Sequence, residues 1–159
     1  MFRFSSEICK LAIVKVHHPC DNLFPRLTIL DRVTEPEFFR TASVGTVRYQ
    51  SYVSKEETRD DSCLLFVKND QQYIGRISMI NRDKNGHILF LSQPAIIEKT
   101  LTFSISKKTY TCNNIFFGYL DLDKFLLLNW RDLKEKLAYF YNSKNSYIFF
   151  RFPNLVESS

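Results

Sequence analysis

The amino-acid sequence predicts a mainly β fold, a β-rich α+β domain built as an open antiparallel barrel or sandwich with one or two short helices. Three observations predict it. Aromatic residues reach 15%, with 15 Phe and 8 Tyr, and such side chains fit a pleated, half-buried surface. Period-two alternation recurs along the chain, most cleanly over residues 101–106, where Leu101, Phe103 and Ile105 alternate with Thr102, Ser104 and Ser106. Turn dipeptides, Asn69-Asp70 and Asn85-Gly86, separate apolar runs at hairpin spacing. At 159 residues the chain fits one domain, and halving it would leave each part short of core.

Residues 1–40 read as an N-terminal arm packing on the domain, and residues 41–156 as the β-rich globular domain. In the arm, residues 8–16 form a strand in which Ile13 and Lys15 alternate with Val14 and Val16. His18-Pro19 breaks it, because the residue before proline is pushed away from helix. Pro25 and Pro36 punctuate the rest of the arm, and Thr34-Glu35-Pro36-Glu37 predicts a short helical turn over residues 35–40 with proline just inside. A strand over residues 44–49 comes next. The charged stretch 54–61 has nothing apolar to bury and reads as a surface loop.

Residues 63–67 and 73–80 form a hairpin turned at Asn69-Asp70. In the second strand Tyr73, Gly75, Ile77 and Met79 share one face, Arg76 and Ser78 the other, and Gly75 marks a bulge or a close backbone approach. Asn85-Gly86 supplies a type I′ turn, whose two centres need positive φ, into a strand over 87–91. Residues 101–106 read as a strand with one face wet, followed by strands over 115–120 and 125–128. Asn129 caps a short helix over 129–136, with Asp132 in its first turn and paired to Lys136 one turn on; a single helix over 130–141 is the alternative. A strand over 137–141, a turn at 142–145 and a strand over 147–152 close the domain. Pro153 ends the last strand, leaving a tail.

Net charge is +5, from 22 Lys+Arg against 17 Asp+Glu, which favours anionic partners. The basic residues are scattered, and the densest of them, Lys107, Lys108, Arg131, Lys134 and Lys136, are the candidate nucleic-acid contacts. Four glycines are too few for a glycine-lined phosphate cradle. No GxSxG, HExxH or P-loop pattern occurs. Cys9, His17, His18 and Cys20 carry zinc-ligand chemistry but lack two close-spaced pairs, so neither metal nor cofactor is expected. The carboxylate pairs Glu56/Glu57, Asp60/Asp61 and Asp121/Asp123 admit a metal-dependent nuclease or transposase fragment only if a third acid converges on them. Tyr49, Tyr52, Tyr73, Tyr110, Phe116, Phe117 and Tyr119 either fill the core or stack on bases and cationic groups. The four cysteines form no CxxC pair, and no leader or bilayer-length apolar run is present, which predicts buried thiols in an intracellular protein.

These residues predict a non-catalytic interaction module that binds protein or DNA. The alternatives are the nuclease or transposase fragment and a purely structural domain packed on a longer chain. The segments Arg40–Ser51 (RTASVGTVRYQS), Gln72–Ile77 (QYIGRI) and Tyr147–Asn154 (YIFFRFPN) together resemble a β-rich domain of uncharacterised transposon-derived animal proteins, over residues 40–156. The Tyr-x-Gly-x-Ile strand at 73–77 and the Leu133-Lys134-Glu135-Lys136-Leu137 stretch are similar in layout to the bromo-adjacent homology domain, a barrel-like chromatin module. That resemblance implies a chromatin-type role and a nuclear setting, and it carries no binding residue over to this chain.

Overall fold

Alternating apolar residues give the chain its strands, and non-local pairing gives the strands their shape. The computed structural model describes residues 14–21, 37–52, 60–142 and 144–151. In chain order the strands are β1 (Val14–Cys20), β2 (Glu37–Val44), β3 (Val47–Gln50), β4 (Cys63–Lys68), β5 (Gln71–Arg82), β6 (Ile88–Ile105), β7 (Lys108–Leu120), β8 (Leu126–Asn129), β9 (Leu133–Asn142) and β10 (Ser146–Arg151). The only helical element longer than a single residue among the described residues is a 3₁₀ turn at Trp130–Asp132. The predicted mainly β class is what the chain adopts.

All pairings are antiparallel. β4 pairs β5 and β9, β10 bridges β9 and β7, β7 pairs β6, and β6 returns to β5. These six strands form a ring. Outside it, β1, β2 and β3 extend the sheet from β5, and β8 adds to β6.

Two cores arise from the pleat. On β4, Cys63 and Leu65 point into the ring, where they meet Ile74, Leu120, Leu137, Tyr147 and Phe149. Leu64 and Phe66 point the other way, onto Ile77, Ile80 and Phe90 and beneath Phe39, Ala42, Tyr49 and Leu128 from the extension. β4 is therefore covered on both faces, which is why residues 63–66 read as an unbroken apolar run rather than an alternating one.

Several expected elements come out differently. Residues 14–20 and 37–40, assigned to an arm, are strands of the sheet, and the helical turn expected over 35–40 is replaced from Glu37 onward by β2. The remainder of that turn, Cys9 and the tail lie outside the described residues. The single strand expected over 44–49 is a hairpin: Gly45, at φ 65°, turns β2 into β3. At Asn85-Gly86 only Gly86 has positive φ. The Asp83 carboxylate accepts from the backbone N–H groups of Asn85 and His87 and so builds a longer loop than a type I′ turn. Two-residue turns with both centres at positive φ occur instead at Asn69-Asp70 (51° and 62°) and Ser106-Lys107 (51° and 65°).

The helix expected at 129–136 is only one 3₁₀ turn. Asn129 caps it as predicted, reciprocally with Asp132, but Leu133 enters β9 because its side chain belongs to the core beside Phe66 and Leu128. Asp132 and Lys136 then cannot face each other. Asp132 pairs with Lys68 at 3.7 Å and Lys136 with Asp61 at 3.0 Å.

Candidate interaction surface

On β9, β10, β7 and β6 alternation assigns one residue set to the ring interior and the other outward. Tyr139, Tyr147, Phe149, Phe116 and Leu120 go inward and join the ring core. The outward set contains Ala138 and Phe140 on β9, Ile148 and Phe150 on β10, and Ile115, Phe117 and Tyr119 on β7. On β6 it contains Ile96 and Lys99. Register aligns Phe140, Ile148, Phe117 and Lys99 in one row across the four strands. Phe140 is 69% exposed and packs edge-on to Phe150, with ring centroids 5.4 Å apart. A sheet face turned to water is ordinarily polar. This one is aromatic.

The face continues onto a ribbon. β5 leaves β6 at Pro94 and β10 leaves β7 at Ile115, so the distal halves of β6 and β7 pair only with each other. The stretch expected to be half-buried is instead exposed throughout residues 101–111, because no other described element packs on it. The pleat divides the ribbon into an apolar side, with Leu101, Phe103, Ile105, Tyr110 and Cys112, and a hydroxyl side, with Thr102, Ser104, Thr109 and Thr111. Phe103 and Tyr110 stack at 5.5 Å, yet Phe103 stays 47% and Ile105 56% exposed. A lone two-stranded ribbon is marginally stable in water, and large exposed apolar patches mark contact sites.

The five candidate basic residues are dispersed. Lys107 and Lys108 sit at the ribbon tip, Arg131 lies 5.3 Å over the Trp130 ring, Lys134 donates to the Arg131 carbonyl, and Lys136 is held by Asp61. β10 stands between β9, which carries Lys134 and Lys136, and β7 of the ribbon. Of the aromatic candidates, Tyr49 is buried, Tyr73 stacks on Phe66 and Tyr52 lies under Arg76. Tyr110, Phe117 and Tyr119 belong to the exposed face. Phe140, the most exposed aromatic among the described residues, was not singled out by the sequence, since alternation alone does not tell which side of a strand is covered.

Among the described residues no three His, Cys, Asp or Glu side chains gather as a metal site. Glu56 and Glu57 lie outside the described residues. Asp60 accepts from Tyr139 and Ser62. Asp121 and Asp123 lie in the turn between β7 and β8. Cys63 is buried in the ring, whereas Cys20 and Cys112 are half-buried thiols. No helix among the described residues is long and apolar enough to cross a membrane.

No family model, curated protein or solved structure matches this chain.

Inside the ring the polar groups serve structure. Arg76, only 7% exposed, donates to Tyr147 Oη at 3.2 Å and Gln93 Oε1 at 3.0 Å, and its guanidinium lies 3.6 Å over Tyr52. Its Nε is buried without a partner, and no carboxylate among the described residues pairs with it. Arg76→Met, which keeps the volume and removes the charge, takes the donor away from buried Tyr147 Oη and Gln93 Oε1 and is expected to lower the unfolding free energy by about 1–3 kcal/mol, measured by urea denaturation.

Burial pushes the Tyr49 hydroxyl up to about 12, with the Glu135 charge adding to it. Burial likewise lifts Tyr147 to about 12, partly offset by Arg76. Tyr139 is driven upward by burial and by its bond to the Asp60 carboxylate. The folded state thus holds these phenols neutral, while the unfolded chain ionises them near pH 10. Their contribution is complete below about pH 10 and is lost as pH rises toward about 12. Phenolate absorbance is expected to show them titrating only with unfolding, and Tyr49→Phe should soften the alkaline limb of the stability curve.

Proposed function

We propose that this chain is a non-catalytic interaction module whose partner is a protein seated on the outer face of β9, β10, β7 and β6. The exposure of Phe140 in a row with Ile148 and Phe117 carries the reading: an apolar sheet face of this breadth is buried in a working assembly. Duplex DNA is less well matched, since the centre of the face offers rings where phosphates need donors. A transposon-derived setting is supported by the resemblance of residues 40–156 to such domains, and a chromatin-type, nuclear one by the likeness in layout at 73–77 and 133–137 and by the positive charge.

Phe140→Asp tests it. The side chain is mostly in water, so stability should change by no more than about 0.5 kcal/mol. Cross-linking mass spectrometry in cells is expected to place protein cross-links on Lys99, Lys108 and Lys144, and Phe140→Asp should remove them. Cross-links concentrated elsewhere, or unaffected by the substitution, would sink the proposal. So would tight duplex DNA binding lost on Lys107→Glu.

A further inference from the structure

Resting on that reading of the outer face, we infer that its occupant is an amphipathic helix of a partner protein, apolar along one side and acidic along its flanks. Four observations carry this.

The first is size. At the ring end the face spans four adjacent strands, from Phe140 to Lys99, roughly 14 Å across at the usual strand spacing. Along β6 it runs from Ile96 to Ile105, roughly 30 Å at strand rise. An α-helix is about 10–12 Å thick, and about twenty residues reach 30 Å. One helix lying along the strands would cover both the ring face and the apolar side of the ribbon.

The second is the availability of backbone. A partner adding a strand needs a free edge, and the candidates are the distal part of β6 or β7 and the β9 edge beyond Lys136, where the pairing with β4 ends. The other edge of β9 is taken by β10 along Leu137–Asn142. A strand added at either place would lie beside the face and leave Ile148 and Phe117 bare. Side-chain packing from above covers them.

The third is charge. The cations on this side are Lys99 and Lys108 on the face itself, with Lys107, Lys124 and Lys144 in the flanking turns, against Glu98 at a bulge and Asp121 and Asp123 in the turn after β7. Lys99 Nζ already lies 5.2 Å over the Phe117 ring, at the margin of the apolar row, where an arriving carboxylate would meet it. A second copy of this chain would set lysine against lysine. An acidic flank complements them.

The fourth is the fold itself. The described residues contain no α-helix, so none of them layers a helix on this sheet, and helix on sheet is a standard way to bury such a face.

The experiment uses a displayed library of random peptides of about twenty residues, selected on the full chain and counter-selected on Phe140→Asp, whose fold is checked by circular dichroism. The expected winners carry apolar residues at i, i+3, i+4 and i+7 with an excess of Asp and Glu. A synthetic winner should bind Phe140→Asp and Phe103→Asp at least about tenfold more weakly, and should lose affinity with Lys99→Glu and with added salt. Winners that depend on Phe140 but show period-two or basic patterns would overturn the helical acidic occupant and leave the docking face standing. Self-association abolished by Phe140→Asp would do the same, in favour of a second copy. Failure to enrich anything over the counter-selection would overturn both.

Discussion

Gly118→Ala is expected to cost about 3 kcal/mol or more and to leave little folded protein at elevated temperature, the largest loss from adding a single methyl group in this chain. Gly118 pairs with Ile97 on β6 and Tyr147 on β10. A Cβ built there would fall onto the Ile96 carbonyl oxygen and lie 3.0 Å from Ile96 C and 3.1 Å from Ile97 Cα. These are backbone atoms of a strand fixed by its own ladder, so nothing flexible can swing aside. Relief requires prying β6 from β7 next to the bulge at Ile97–Lys99, which would open the ring. Urea denaturation of Gly118→Ala beside Gly45→Ala separates space from backbone conformation. Gly45 has open space but a φ of 65°, so its substitution should cost only about 1 kcal/mol. Equal losses at the two sites would contradict the crowding argument.

Gly118 also marks where the sequence stops being legible. Gly75 stood inside a clear alternating strand and so signalled close approach, which is what the Gln93 backbone and the Phe66 ring provide, at 2.5 Å and 2.8 Å from a Cβ built there. Gly118 sits among Ile, Phe, Tyr and Leu, a run that reads as uniformly apolar, and the bulged pairing with β6 that crowds it is set by residues about twenty positions away. The same holds for ring closure. The β4–β5 and β9–β10 hairpins are local and are visible in turn residues and alternation. The β4–β9 and β10–β7 pairings depend on which faces are apolar together in three dimensions.

Turn chemistry was readable at Asn69-Asp70, gave the place but not the type of turn at Asn85-Gly86, and was missed at Gly45 and at Ser106-Lys107. There two ordinary residues adopt positive φ because the register between Ile105 and Lys108 leaves a two-residue connection, and strand twist favours that turn. The helix expected after Asn129 failed for a related reason. Its cap is real, but helical spacing would have turned Leu133 and Leu137 onto a common face, whereas the fold buries them in two different cores. A strand, bulged between them, allows that; a helix does not.

The exposed face was the least legible feature. Phe149 and Phe150 are neighbours in a run of similar residues, and period-two reasoning says only that they point oppositely. Phe149 is completely buried, stacked nearly parallel on Tyr147 at 5.4 Å and surrounded by the ring core. Phe149→Ala is therefore expected to cost about 3–5 kcal/mol, the lost transfer energy plus that of the cavity left inside a closed wall. The ring cannot collapse into the void without breaking a ladder, which places the expectation toward the upper end. Phe140→Ala, one strand away on the outward side, should cost less than about 1 kcal/mol. Chemical denaturation of the two variants decides the matter: a comparable loss for both would mean that the outer face is already covered by this chain's own residues, and the docking surface would then have no reason to exist. A large loss confined to Phe149 leaves Phe140 with no structural duty in the isolated chain. Its bulk on the water side, in a row with Ile148 and Phe117, is then explained only by what it contacts in a complex.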